Sequence, residues 1–138
     1  LKLSRGLGDV YKRQPNCLDE TKYYKELYDT YHSDGLEIIS IAYETGNDVE
    51  DYIESVTRLR NKLSLNFTFL IGGAANKNLA SEHFSMLNKI ISFPTSIFIG
   101  RDGQVKRVHT GFNGPGTGEY YTEYVRNTNS LIENLLAQ

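Results

Sequence analysis

The chain has 138 residues and a formal net charge of −2, from 15 Lys and Arg against 17 Asp and Glu. That length suits one domain with its own core, and the charge offers no broad basic surface to nucleic acid. No apolar run approaches the ~20 residues that cross a bilayer, and a single cysteine excludes an internal disulfide framework and a four-cysteine zinc site.

In chain order, the first fourteen residues, LKLSRGLGDVYKRQ, carry Lys2, Arg5, Lys12 and Arg13 and show no sustained apolar period. They also lack the apolar core of a secretory signal. The segment resembles translated adapter or vector sequence, so 1–14 are read as a non-native tail and 15–138 as the domain. Pro15 suits the first turn of a helix, where a missing N–H costs little. Tyr24, Leu27, Tyr28 and Tyr31 then recur at helical spacing, and Gly35 ends the helix. LEIISIAY (Leu36–Tyr43) is a short β-branched run of the kind found in a strand covered on both faces. Asn47 with Glu50 forms an expected capping box, and Val49, Tyr52, Ile53, Val56 and Leu63 trace a second helix. NFTFLI (Asn66–Ile71) predicts a strand ended by Gly72 and Gly73, and Lys77–Met86 predicts a short helix.

The character then changes. TSIFIG and QVKRVHT flank Arg101-Asp102-Gly103, a hairpin signal. A glycine-rich stretch, GFNGPGTG, precedes a helix from Glu119 whose apolar face runs through Tyr121, Tyr124, Val125, Thr128, Leu131, Ile132 and Leu135. The glycine stretch lacks the Lys-Ser/Thr of a phosphate loop and reads as a turn. Helices between strands imply parallel pairing and the hairpin adds antiparallel pairing, so the expected class is a mixed α/β sandwich. A helix opening at Pro15 should be fed by a strand, yet only GDVY offers one. The opening central strand is therefore expected to be missing or replaced by the tail, with Val10 and Tyr11 the residues that would enter the slot.

PNCLDE (Pro15–Glu20) together with FPTSIFIGRDGQV (Phe93–Val105) resembles the TlpA-like redoxins of the thioredoxin superfamily, over Pro15 to Gln138. Members carry Trp-Cys-x-x-Cys-x-x-Glu at the start of the first helix, and Pro15, Asn16, Cys17 and Glu20 match its latter part. Gln14 stands where the first, nucleophilic cysteine belongs and Arg13 where the tryptophan does. The resemblance implies a three-layer thioredoxin-like fold and a thiol–disulfide oxidoreductase acting on protein thiols and disulfides. Cys17 would be the resolving thiol and Glu20 a proton relay or, equally, a first-turn acid facing the helix dipole. Pro94 would be cis, with Phe93 and Thr95 lining the substrate contact. The resemblance further implies an extracytoplasmic, periplasmic setting, with a membrane-anchored or secreted parent. No cofactor, metal or nucleic acid is implied, and His32, His83 and His109 have no metal-ligand spacing.

With Gln14 in place of the first cysteine, the chain as written is expected to be inactive. Two other readings stand beside this one. A redox-inert binding module would keep Gln14 as a genuine residue. A one-cysteine, peroxiredoxin-like peroxidase would need Pro and Thr seven and three residues before Cys17, where Val10 and Gln14 sit instead.

Overall fold

Proline at the first helical position and a stripe of tyrosine and leucine produce α1 (Pro15–Tyr31), in a computed structural model that describes residues 2–5, 15–85 and 93–138. A short 3-10 turn (His32–Asp34) closes α1, and Gly35 takes φ +114°, where a Cβ would be strained. β2 (Ile39–Glu44) follows, then α2 (Val49–Leu63), β3 (Thr68–Ala74) and α3 (Lys77–His83). β4 (Thr95–Ile99) and β5 (Val105–Thr110) form the hairpin, and α4 (Glu119–Leu136) ends the fold.

Before all of these comes β1 (Lys2–Arg5). It lies at the centre of a five-stranded sheet ordered β3-β2-β1-β4-β5. Its partners are β2, in parallel from Lys2↔Ser40 to Arg5↔Tyr43, and β4, antiparallel at Lys2↔Ser96 and Leu3↔Thr95. Residues Lys2–Arg5 of the 1–14 segment thus take the central place, while Val10 and Tyr11, expected there, lie outside the described residues. Backbone pairing is the reason: a strand flanked on both sides satisfies its N–H and C=O groups whatever its side chains.

The layers follow from register. Lys2 is in line with both Ser40 and Ser96, so those serines share one face of the sheet. Tyr24 of α1 reaches Ser96 there, and α1 joins α4 through Tyr23 Oη–Asn129 Oδ1 (2.7 Å) and Tyr31 Oη–Glu133 Oε1 (2.6 Å). Tyr43, three residues beyond Ser40, points to the opposite face and meets His83 of α3 at 2.9 Å. The result is a three-layer α/β/α sandwich with a mixed sheet.

Three local expectations shift. The cap of α2 is Asp48, whose carboxylate accepts the Asp51 N–H at 3.0 Å, while Asp51 accepts the Asn47 N–H at 2.7 Å. Asn47 and Asp48 are both good cap residues; the cap forms one position later than expected, and Asp51 returns its bond to the residue before the cap. β3 continues through Gly72 and Gly73 instead of ending at them. A Cβ at Gly72 would lie 2.6 Å from the Tyr43 ring, so the glycine makes room for the tyrosine of the neighbouring strand. α3 ends at His83, and Met86 lies outside the described residues.

Candidate active site

Cys17 lies in the first turn of α1 and is 0% exposed. Its carbonyl accepts the Thr21 hydroxyl at 2.7 Å, an i−4 bond that satisfies a polar side chain on the buried face of the helix. Glu20, three residues on, shares the Cys17 side of the helix and is likewise 0% exposed. A carboxyl group with no access to water needs hydrogen-bond donors. Ser96 supplies one, its hydroxyl donating to Glu20 Oε2 at 3.3 Å, and Tyr24 Oη donates to Ser96 Oγ at 2.6 Å. A relay of hydroxyls therefore runs from α1 through β4 and back to the carboxyl beneath the helix start.

Burial, followed by the charge of Glu20, holds the Tyr24 phenol well above its ordinary range. Tyr24 therefore stays a hydrogen-bond donor at any neutral pH. Tyr124 of α4 is raised by the same two causes in the same order. Neighbouring Tyr23 and Phe112 complete an aromatic cluster, with Phe112 at 5.3 Å from the Tyr124 ring and 6.2 Å from that of Tyr23. Phe112 anchors the glycine-rich loop, and Gly114 of that loop comes so close to α1 that a Cβ would meet the Asp19 carboxylate at 2.9 Å. The loop is thus a lid on the first turn of α1, not a phosphate cradle.

The Phe93–Pro94 peptide bond is cis, at the entrance to β4. The Pro94 carbonyl accepts the Gly111 N–H at 2.7 Å, and Thr95 lies between Leu3 of β1 and Thr110 of β5. Phe93 and Thr95 are 8% and 2% exposed, and the Phe93 ring packs 5.5 Å from that of Tyr43. Both side chains pack into the core, with the Phe93 side chain keeping the larger exposure of the two.

Glu20 and the start of β4 are thus brought together, one residue past Thr95. Gln14 lies outside the described residues. Ser96, Tyr24 and the approach of Gly114 to Asp19 were not foreseen. The available signal was a serine inside the apolar run TSIFI and a tyrosine one turn after Glu20. The histidines take packing and surface places: His83 against Tyr43, His109 4.7 Å from the Tyr124 ring, and His32 at 3.3 Å from Glu37.

Helix order, sheet order and the cis-proline at the head of β4 make one arrangement. The fold is thioredoxin-like. It is similar to the solution structure of a candidate thioredoxin from Neisseria meningitidis, with a TM-score of 0.54 at 15% identity, over 91% of this chain and 73% of that one. No family model matches the chain, and no curated protein does. In this thioredoxin-like frame the Cys17 turn and the cis-proline strand lie together, since Glu20, three residues after Cys17, accepts from Ser96, two residues after Pro94.

Proposed function

We propose that residues 15–138 are a TlpA-like thiol–disulfide oxidoreductase domain that exchanges disulfides with protein substrates in an extracytoplasmic compartment. The tail 1–14 is foreign on this reading, and Gln14 takes the place of the attacking cysteine. The observation that carries it is the burial of Cys17 in the first turn of a helix whose next turn holds a buried carboxyl group wired to the cis-proline strand. A fully covered thiol suits the resolving partner, which meets its target only after a neighbouring sulfur has been brought to it.

The chemistry assigns the parts. In the parent, a thiolate at position 14 attacks one sulfur of a substrate disulfide, forming a mixed disulfide and releasing the first substrate thiolate. Cys17, as thiolate, then attacks the position-14 sulfur; the intramolecular disulfide forms and the second substrate thiolate leaves. Glu20 takes the Cys17 proton in that step, over one helical turn, with Ser96 and Tyr24 holding the carboxyl in place. The backbone N–H and C=O of Phe93, beside the cis-proline, pair with the extended substrate segment. An external dithiol resets the domain.

The chain as written has one cysteine and cannot complete this cycle. Insulin reduction with dithiothreitol as reductant tests it: no turnover above the dithiothreitol background is expected for the chain, and turnover is expected for Gln14→Cys. Turnover by the unaltered chain at the rate of ordinary dithiol redoxins contradicts the resolving role. Sequencing the locus upstream of the Pro15 codon checks the tail: Trp-Cys supports the junction, Arg-Gln supports a redox-inert binding module.

A further inference from the structure

Three aspartate or asparagine residues are followed directly by glycine, in Asp34-Gly35, Asp102-Gly103 and Asn113-Gly114. At such a pair the glycine nitrogen can attack the side-chain carbonyl carbon of the residue before it, because no Cβ stands in the way. The fold treats the three pairs differently. The Gly35 N–H donates to the His32 carbonyl at 3.0 Å and the Gly103 N–H to the Gly100 carbonyl at 3.0 Å, so turns hold both nitrogens.

Asn113-Gly114 has no such restraint. Among the described residues the Gly114 N–H finds no acceptor, and the exposed Asn113 side chain makes no hydrogen bond. A base lies beside the pair, since a Cβ on Gly114 would stand 2.9 Å from Asp19 Oδ2. Asn113 also sits between the two anchors of the lid. On one side is Phe112, 5% exposed with its ring 5.3 Å from that of Tyr124, and on the other is Gly114 against Asp19.

We propose that Asn113 is a self-modification site, deamidating through a cyclic imide with Asp19 as the base, and that the isoaspartate formed loosens the lid over Cys17. The Gly114 nitrogen gives its proton to Asp19 and bonds to Asn113 Cγ. The bond from Cγ to the side-chain nitrogen breaks, and ammonia leaves with that proton. Water then opens the imide. Cleavage between nitrogen and Cγ gives aspartate; cleavage between nitrogen and the main-chain carbonyl carbon gives isoaspartate, whose chain runs on through Cγ. Nothing is oxidised or reduced, and water is the sole co-reactant. Isoaspartate lengthens the main chain by one carbon between Phe112 and Gly114, and a loop fitted at both ends must then leave one of its seats.

The test incubates the intact chain in mildly alkaline buffer, folded or unfolded in urea, with peptide mapping by mass spectrometry at intervals. Position 113 should convert in the folded chain at least as fast as in urea. Positions 34 and 102 should isomerise at least about fivefold more slowly folded than in urea, because each must first open a turn hydrogen bond. Asp19→Asn should slow the folded reaction at position 113 and leave the urea rate unchanged. Isoaspartate at position 113 should speed alkylation of Cys17, while Asn113→Gln, aged in parallel, keeps the rate of fresh protein. An Asn113 that stays intact in the folded chain while the urea sample converts overturns the proposal, as does equal protection at all three positions. An unchanged folded rate in Asp19→Asn, or a Cys17 alkylation rate indifferent to isoaspartate at position 113, overturns it too.

Discussion

The first turn of α1 and the strand that precedes it meet the same demand in opposite ways. Around Cys17 the side chains suit their surroundings: Thr21 caps a carbonyl, Glu20 receives Ser96, and Phe112 seals the loop above. In β1 the residue types are ill-matched to a central strand, and what holds them is a ladder on either side. Backbone pairing recruits a strand without regard to sequence; side-chain complementarity makes a site. A fold can therefore be completed at its centre by a poor sequence while its chemistry depends on a good one.

Improving β1 tests the poorly matched strand directly. Lys2→Val with Arg5→Val replaces two cations by β-branched residues in the central strand, where strand preferences span about 1 kcal/mol per position. The midpoint of urea unfolding should rise clearly; an unchanged midpoint would mean that β1 contributes nothing to the sheet. Phe112→Ala attacks the other region by opening a space between Tyr23 and Tyr124, and about 3–5 kcal/mol should be lost. Thermal unfolding followed by near-UV circular dichroism checks it.

The two regions were also unequally legible. Pro15, the tyrosine–leucine period and Gly35 outlined α1, and Arg101-Asp102-Gly103 outlined the hairpin, because caps and turns are local. Lys2–Arg5 was not legible, since a strand without an apolar period is chosen by its neighbours and not by itself. The Tyr24–Ser96–Glu20 relay was hidden for a related reason: three polar residues 72 and 76 positions apart at its longest links gain meaning only when β4 is laid under α1. Gly72 looked like a strand end because its task, clearing the Tyr43 ring, belongs to another strand.

Smaller effects sharpen the contrast. Tyr24→Phe removes the donor to Ser96 while keeping the ring, and about 0.5–1.5 kcal/mol should be lost. The same change in the Gln14→Cys background should slow insulin turnover more than it lowers stability, because on the proposed mechanism it loosens the carboxyl that takes the Cys17 proton. His109 gives the smallest effect. Burial, then the Arg107 cation, lowers its pKa, so folding favours the neutral ring. The associated stability is complete above the unfolded value of ~6.5 and is lost as pH falls through the folded one. His109→Gln should flatten that acid limb in urea titrations between about pH 7.5 and 5; an unchanged limb would place its origin elsewhere.

The central claim is that Cys17 is half of a pair, and the most direct measurement is the thiol state of the oxidised Gln14→Cys variant. After mild oxidation of dilute protein, mass spectrometry under denaturing conditions should find a monomer lighter by two hydrogens, with no thiol left to alkylate and a peptide map joining position 14 to Cys17. Two alkylatable thiols, or only intermolecular dimers through position 14, from protein that still unfolds cooperatively would show that Cys17 is a buried bystander and that the first turn of α1 was never a dithiol site.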